Sequence, residues 1–240
     1  MPDTATPSAR RRRVGLIVPS VNAVIEPDFA AVRLSGISFH ATRVMLRETT
    51  PDGLRAMNAG VEAAAELIAS VTPDVVAFAC TSGTFIDGEA GLARQTAAIE
   101  AIVGCPVVAT SRCIIDAFAH LGLTRIALAT PYLDAINDAE RAFLEGHGLS
   151  VVSMRGLGLS GKAIREVAPE RVAALVRETD TAESEAVFVS CTDFRAMEVA
   201  AALERELGKP VLTSNQVTLW GVLRALGLPL LLNGYGRLLA

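Results

Sequence analysis

The feature of this 240-residue chain that most constrains its fold is a set of three short segments that recur in the same order in both halves. The pairs are RVGLIVPS (13–20) with RIALATPY (125–132), VVAFACT (75–81) with AVFVSCT (186–192), and GCPVVATS (104–111) with GKPVLTS (208–214). Their offsets are 112, 111 and 104 residues. One match alone would be weak, because short apolar segments resemble one another by chance. The shared order and similar offsets indicate a duplicated half-chain.

Short apolar runs alternate with longer amphipathic segments along the chain. Val75–Ala79 and Ala186–Val189 are continuous apolar runs, typical of strands that are covered on both faces. Leu54–Ser70 carries apolar residues at helical spacing, and a second predicted helix, Ala196–Leu207, stops at Gly208. This alternation predicts an α/β fold of parallel sheets joined by crossover helices.

The repeat and the alternation together predict two pseudo-symmetric lobes, each with a parallel sheet flanked by helices. We expect a flexible tail at 1–12, a first lobe formed by 13–115 with 214–240, and a second lobe formed by 116–213. The exposed face of the 196–207 helix would allow a homo-oligomer. Nothing in the sequence specifies one.

Composition and charge exclude several classes of function. A net charge of −4 and 5% aromatic residues argue against a nucleic-acid partner. Arg10–Arg13 followed by Val14–Val18 resembles an export signal, but the apolar stretch is too short, and no segment approaches a membrane span. We therefore expect a cytoplasmic protein with no membrane partner. Four cysteines without a C-x-x-C pair and three scattered histidines argue against a disulfide framework or a metal site.

Two cysteines of the repeat carry the functional prediction. Cys80 and Cys191 each follow a predicted strand and precede a threonine. Ligands of open α/β sheets bind at the carboxyl ends of strands, where free backbone N–H groups also stabilise anions. The sequence therefore predicts two thiols that face each other across a cleft between the lobes.

Two thiols on opposite sides of one carbon suit addition or proton transfer next to a carboxylate, without a cofactor. An enediolate formed there needs hydroxyl and amide donors. The candidates are Ser20, Asn22, Thr81, Ser82, Tyr132 and Thr192. The segment GLGLSG (156–161) lacks the spacing of a dinucleotide-binding motif, so we discount it.

Several motifs resemble those of one known group. PSVN-x-x-x-E (19–26), ACTSGT (79–84) and SCT (190–192) resemble the aspartate/glutamate racemase superfamily, most closely its maleate cis-trans isomerase and arylmalonate decarboxylase branches. The resemblance covers nearly the whole chain. It implies two Rossmann-like lobes, no cofactor, and a small mono- or dicarboxylate substrate.

The resemblance also implies roles for individual residues. Cys80 would be the nucleophile that adds to an olefinic carbon, and Cys191 would be the opposing acid. Asn22 and Tyr132 fall where the group binds substrate carboxylates. The residues at the positions of the decarboxylase donor pocket are Thr81, Ser82, Tyr132 and Thr192.

Four functions stay open at this point. The decarboxylase branch has glycine where Cys80 stands, so Cys80 favours isomerisation, most simply of maleate to fumarate, or racemisation beside a carboxylate. Ser160-Gly161 replaces an Asp-Asn pair of maleate isomerases and is closer to the decarboxylase pattern. An arylmalonate decarboxylase-like enzyme and a non-catalytic carboxylate-binding protein are the remaining alternatives.

Overall fold

The structure is a computed structural model that describes residues 10–240. Residues 1–9 of the predicted tail lie outside the described residues. The end of that tail belongs to the fold, because Arg12 begins the first strand and Arg10 and Arg12 both pair with the Asp74 carboxylate. The backbone N–H of Arg13 donates to the same carboxylate at 2.8 Å.

Within residues 10–240, eight strands form two separate parallel sheets of four strands each. The first contains β1 (Arg12–Pro19), β2 (Ile37–Val44), β3 (Val75–Phe78) and β4 (Val107–Ala109). The second contains β5 (Arg125–Thr130), β6 (Ser150–Gly156), β7 (Ala186–Val189) and β8 (Val211–Thr213). The strand orders are β2-β1-β3-β4 and β6-β5-β7-β8, so both halves have the same topology. The predicted α/β class is confirmed.

The interior strands β3 and β7 consist of apolar residues, which explains their position in the middle of each sheet. Every residue of β3 and β7 is buried, as the continuous apolar runs in the sequence predict for strands covered by helices on both faces. The edge strand β2 is mostly half-buried, and its mixed sequence gave no strand signal.

In the described part of the chain, ten α-helices cover the two sheets. They are α1 (Ile25–Ala31), α2 (Pro51–Asn58), α3 (Val61–Ala69), α4 (Thr81–Phe85), α5 (Gly88–Val103), α6 (Thr110–Leu121), α7 (Asp134–Gly146), α8 (Pro169–Thr179), α9 (Met197–Leu207) and α10 (Ser214–Ala225), with short 3₁₀ helices at Gly161–Ala163 and Arg237–Leu239. The single helix predicted over Leu54–Ser70 is wrong. The chain turns at Ala59-Gly60, and α3 starts after Gly60, which interrupts the helix although the apolar spacing continues. No helix of residues 10–240 has the length and apolar character that crossing a membrane requires.

Helix α10 connects the two halves. It follows β8 of the second sheet but packs on α6, which follows β4 of the first sheet. The hydroxyl oxygens of Thr110 and Thr218 are 2.9 Å apart between these helices, and Thr81 Oγ1 donates to Ser214 Oγ at 2.9 Å. The division into lobes at 115/116 and 213/214 stays a prediction.

Candidate active site

The topology brings four strand ends to one cavity. In a sheet of this order, neighbouring crossovers leave in opposite directions beside β1 and β3, and a crevice forms at their carboxyl ends. The second sheet has the same crevice beside β5 and β7. Cys80 lies two residues after β3, and Cys191 lies two residues after β7. The cavity is lined by Pro19, Val21, Asn22, Leu46, Thr49, Cys80, Thr81, Ser82, Tyr132, Gly161, Ile164, Cys191, Thr192 and Asp193.

The structure thus brings seven of the eight predicted site residues together. Ser20 is the exception and does not line the cavity. Its hydroxyl oxygen accepts the backbone N–H of Leu46 at 3.0 Å, and Leu46 is a lining residue. Ser20 therefore fixes a wall of the cavity.

The Cys80 thiol sits at the start of α4. Its backbone is extended, with φ of −144°, and its Sγ accepts the Gly83 N–H at 3.3 Å. Ser82 Oγ lies 4.0 Å from the same sulfur. A Cβ at position 83 would lie 2.9 Å from that sulfur, so glycine permits the close approach. Burial raises the pKa of Cys80 to about 11, while the Gly83 N–H opposes that rise.

The Cys191 thiol has different surroundings. Its φ of +90° is in the left-handed region, which a residue with a Cβ adopts at a cost of about 1–3 kcal/mol. Its Sγ accepts the Asp193 N–H at 3.4 Å. Burial and the Asp193 carboxylate raise its pKa far above the usual range of a thiol, although a hydrogen bond from the Tyr132 hydroxyl opposes this. Cys191 is therefore protonated at neutral pH.

A buried carboxyl group lies behind the second thiol. Glu140 of α7 is fully buried, and its Oε1 accepts the Ser190 hydroxyl at 2.6 Å. Burial raises the pKa of Glu140 to about 8, so this group is largely neutral at pH 7. This hydrogen bond fixes Ser190, the residue that directly precedes the strained backbone of Cys191. The first half has Ala79 at the corresponding position.

Amide and hydroxyl groups join the two halves around the cavity. Asn22 Nδ2 donates to Thr192 Oγ1 at 3.0 Å, and its Oδ1 accepts the N–H groups of Val24 and Ile25 at 3.0 and 3.2 Å. Asn22 therefore both orders the start of α1 and contacts the other half. Thr192 Oγ1 donates to the Ala79 carbonyl at 3.3 Å. These bonds place the Cys80 and Cys191 loops against each other.

The segment between β6 and α8 closes the cavity. Gly161 N–H donates to Thr49 Oγ1 at 3.2 Å, and Ile164 contributes an apolar wall. The enclosed space is about 30 Å³, which is room for roughly two water molecules.

Seven lining residues were not predicted as site residues: Pro19, Val21, Leu46, Thr49, Gly161, Ile164 and Asp193. Leu46, Thr49, Gly161 and Ile164 lie outside any repeated segment. Asp193 belongs to the cavity as well, although its carboxylate was not predicted to contact a ligand. In the part of the chain that the structure describes, no three His, Cys, Asp or Glu side chains cluster as a metal site would require.

The comparisons with known proteins agree with this geometry. The arylmalonate decarboxylase family model matches residues 14–239. A maleate isomerase of Nocardia farcinica is 32% identical over 95% of both chains, and an arylmalonate decarboxylase of Bordetella bronchiseptica is 31% identical over 94% of this chain and 95% of its own.

A solved structure gives the same result for the fold. A mutant of the Nocardia farcinica maleate cis-trans isomerase with a covalently bound succinylcysteine intermediate superposes with a TM-score of 0.90 at 29% identity, covering 95% of this chain and 98% of its own. The predicted resemblance to the maleate isomerase and arylmalonate decarboxylase branch of the aspartate/glutamate racemase superfamily is confirmed. The chain belongs to the arylmalonate decarboxylase family.

Proposed function

We propose that this protein is a cofactor-independent cis-trans isomerase of small unsaturated carboxylates, with maleate as the reference substrate. One observation carries the proposal: two thiols, at equivalent positions of two equivalent sheets, line one cavity. Similarity to maleate isomerases over 95% of the chain supports the choice of reaction.

Cys80 is the proposed nucleophile. Of the two thiols in the cavity it is the less costly to ionise, because its pKa is about 11 while that of Cys191 is raised further. The Gly83 N–H, 3.3 Å from the sulfur, stabilises the thiolate as negative charge develops. The thiolate adds to one olefinic carbon, and the S–C bond forms as the π electron pair moves to the neighbouring carbon and its carboxylate.

Cys191 is the proposed acid. Its proton goes to the carbon that received the electron pair, which leaves a succinyl thioether on Cys80 and a thiolate at Cys191. The former double bond is then single and rotates. Cys191 takes the proton back, the electron pair forms the trans double bond, and the Cys80 thiolate is expelled. The related maleate isomerase whose structure contains a succinylcysteine intermediate supports an adduct of this type.

Neutral donors are proposed to hold the substrate. The hydroxyls of Ser82 and Tyr132 line the cavity on the two cysteine sides, where they would donate to the enediolate oxygens. The Thr81 hydroxyl donates to Ser214 Oγ, so it would have to leave that partner to donate to the substrate. The amide of Asn22 would bind the other end of the substrate. These groups supply stabilisation without a metal or an organic cofactor.

Proton NMR in deuterated water tests the reaction directly. Maleate, fumarate, aspartate and an arylmalonate are each incubated with the protein, with Cys80→Ser as the inactive control and Cys105→Ser as a matched control outside the cavity. We expect conversion of maleate to fumarate by the wild type and by Cys105→Ser only. Absence of conversion would contradict the proposal. Deuterium in aspartate would then indicate a racemase, carbon dioxide release a decarboxylase, and no reaction a binding protein.

A further inference from the structure

The cavity carries one formal charge, and that charge is negative. Among its 14 lining residues, Asp193 is the one with an ionisable carboxylate, and neither lysine nor arginine is among them. The neutral donors Asn22, Thr81 and Tyr132 make up much of the remaining polar lining. A dicarboxylate bound in this cavity would bring two negative charges close to the Asp193 carboxylate.

The two carboxylate oxygens of Asp193 have different partners. Its Oδ1 accepts the Ala23 N–H at 2.8 Å. Its Oδ2 is 3.7 Å from Nη1 of Arg165, which is longer than a hydrogen bond. That same Nη1 donates to the Val21 carbonyl at 2.8 Å. The Oδ2 atom therefore has an incomplete set of donors in this structure.

Burial raises the pKa of Asp193 to about 6, and the charges of Arg165 and Arg43 oppose that rise only in part. The side chain of Arg165 is 28% exposed, whereas that of Asp193 is 9% exposed. The guanidinium charge is therefore in closer contact with solvent than the carboxylate charge, which weakens its effect inside the cavity. The negative charge of Asp193 raises the pKa of both Cys80 and Cys191, so it interacts electrostatically with both sulfur atoms. A bound carboxylate at this end would meet the same repulsion.

We propose that Asp193 is a specificity-determining residue that selects acids with one carboxylate and, at the other end, a neutral hydrogen-bond donor such as a carboxamide. The inference rests on the proposed function and names its substrate class. The donor N–H of the ligand would complete the bonding of Oδ2. A second carboxylate in the same place would have no proton to donate and would be repelled.

Maleate and its monoamide are the matched probes, because they share the cis four-carbon skeleton and differ in one charged end. At pH 8, where Asp193 is ionised, we expect the wild type to isomerise the monoamide with a kcat/KM at least tenfold above that for maleate. Asp193→Asn keeps an oxygen for the Ala23 N–H but removes the charge and frees Arg165. The preference should therefore vanish or reverse in this variant.

Asp116→Asn is the control, since it makes the same change of charge on α6, outside the cavity. It should leave the ratio of the two kcat/KM values unchanged. A wild type that prefers maleate, or an Asp193→Asn variant with the wild-type ratio, would overturn the inference and assign Asp193 only the structural bond to Ala23.

A binding measurement separates this inference from the proposed function. Dissociation constants of both probes are measured by calorimetry on Cys80→Ser and on Cys80→Ser/Asp193→Asn. Tenfold tighter binding of the monoamide, lost in the double variant, would support selection by Asp193 even if the wild type isomerised neither probe. Absence of isomerisation of both probes by the wild type would contradict the proposed isomerase function but not the inference about Asp193. Equal binding of the two probes would defeat the inference alone.

Discussion

The two cysteine loops occupy the same place in two equivalent sheets, yet their local structures differ. Cys80 has an extended backbone, starts a helix directly and accepts the N–H of Gly83. Cys191 has a φ of +90°, is followed by a turn instead of a helix, and lies beside the Asp193 carboxylate. The duplicated fold thus places both sulfurs, and the loops after them set their chemistry.

This difference assigns a direction to the proposed reaction. A thiol of lower pKa forms a thiolate more readily and suits addition, whereas one of higher pKa retains its proton and suits an acid. The loop with the ordinary backbone therefore holds the nucleophile. The strained loop holds the acid and needs additional support from Ser190 and Glu140.

Removing either sulfur should have the largest effect. Cys80→Ser and Cys191→Ser should each lower kcat/KM for the preferred substrate by roughly 10³-fold or more, because a serine hydroxyl is a far weaker nucleophile and acid. Steady-state kinetics measure the loss. Cys105→Ser should stay within about twofold of the wild type. Near-wild-type activity of either cavity variant would remove that cysteine from the mechanism.

Glu140 supports only the Cys191 loop, so its titration is a test of that loop. The pKa is raised from 4.5 to about 8 in the folded protein. Its contribution to stability is therefore full below about pH 4.5 and is lost as the pH rises through 8, with a slope of up to about 1.4 kcal/mol per pH unit. Glu140→Gln should lose this part of the pH dependence.

Urea unfolding at several pH values between 5 and 8 measures that slope. The Gln variant keeps a side-chain oxygen for the Ser190 hydroxyl, so its free energy of unfolding should fall less steeply with pH than that of the wild type. Glu66→Gln on the exposed face of α3 is the control, and it should keep the wild-type slope. Identical slopes for wild type and Glu140→Gln would show that Glu140 titrates at an ordinary pKa.

Thiol reactivity should rank the two loops. We expect iodoacetamide to alkylate Cys80 faster than Cys191 at pH 8, because the more strongly raised pKa of Cys191 lowers its thiolate fraction. Both rates should rise with pH toward 10. Peptide mapping is needed to separate this labelling from that of the half-buried Cys105. Faster labelling of Cys191 would reverse the assigned roles.

The smallest predicted effect tests the backbone difference alone. Cys191→Gly should be more stable than Cys191→Ala by about 1–2 kcal/mol, because glycine adopts a positive φ without strain. At position 80 the order should be opposite, with Cys80→Gly about 0.5–1 kcal/mol less stable than Cys80→Ala. Thermal or urea unfolding of the four variants gives both differences. The same order at both positions would contradict the strained conformation of Cys191.

Much of the fold follows from local sequence patterns. The apolar runs at Val75–Ala79 and Ala186–Val189 predicted the interior strands, and the repeat predicted that Cys80 and Cys191 occupy matching strand ends. Edge strand β2 and the long helix α5 were missed. Only three of the 16 residues of α5 are buried, so its sequence lacks a clear apolar face.

The finer features of the site depend on contacts between distant residues. Glu140 and Ser190 are hydrogen-bonded although they are 50 residues apart in the sequence, and Thr49 and Gly161 are hydrogen-bonded at a separation of 112 residues. No local sequence pattern could predict either pair. Ser20 has the right residue type, but its hydroxyl is used by Leu46. The positive φ of Cys191 arises in a loop whose sequence matches that of Cys80 at the cysteine and threonine.

The most direct test of the central claim is intact-mass spectrometry with peptide mapping on Cys191→Ser after incubation with maleate or its monoamide. In Cys191→Ser, water can supply the proton that converts the Cys80 adduct to a stable thioether, but the Cys191 thiolate that would remove this proton again is absent. The variant should therefore retain one molecule of substrate in covalent linkage to Cys80, and Cys80→Ser should retain none. An adduct on a different residue, or turnover by Cys80→Ser, would contradict the division of roles between the two halves.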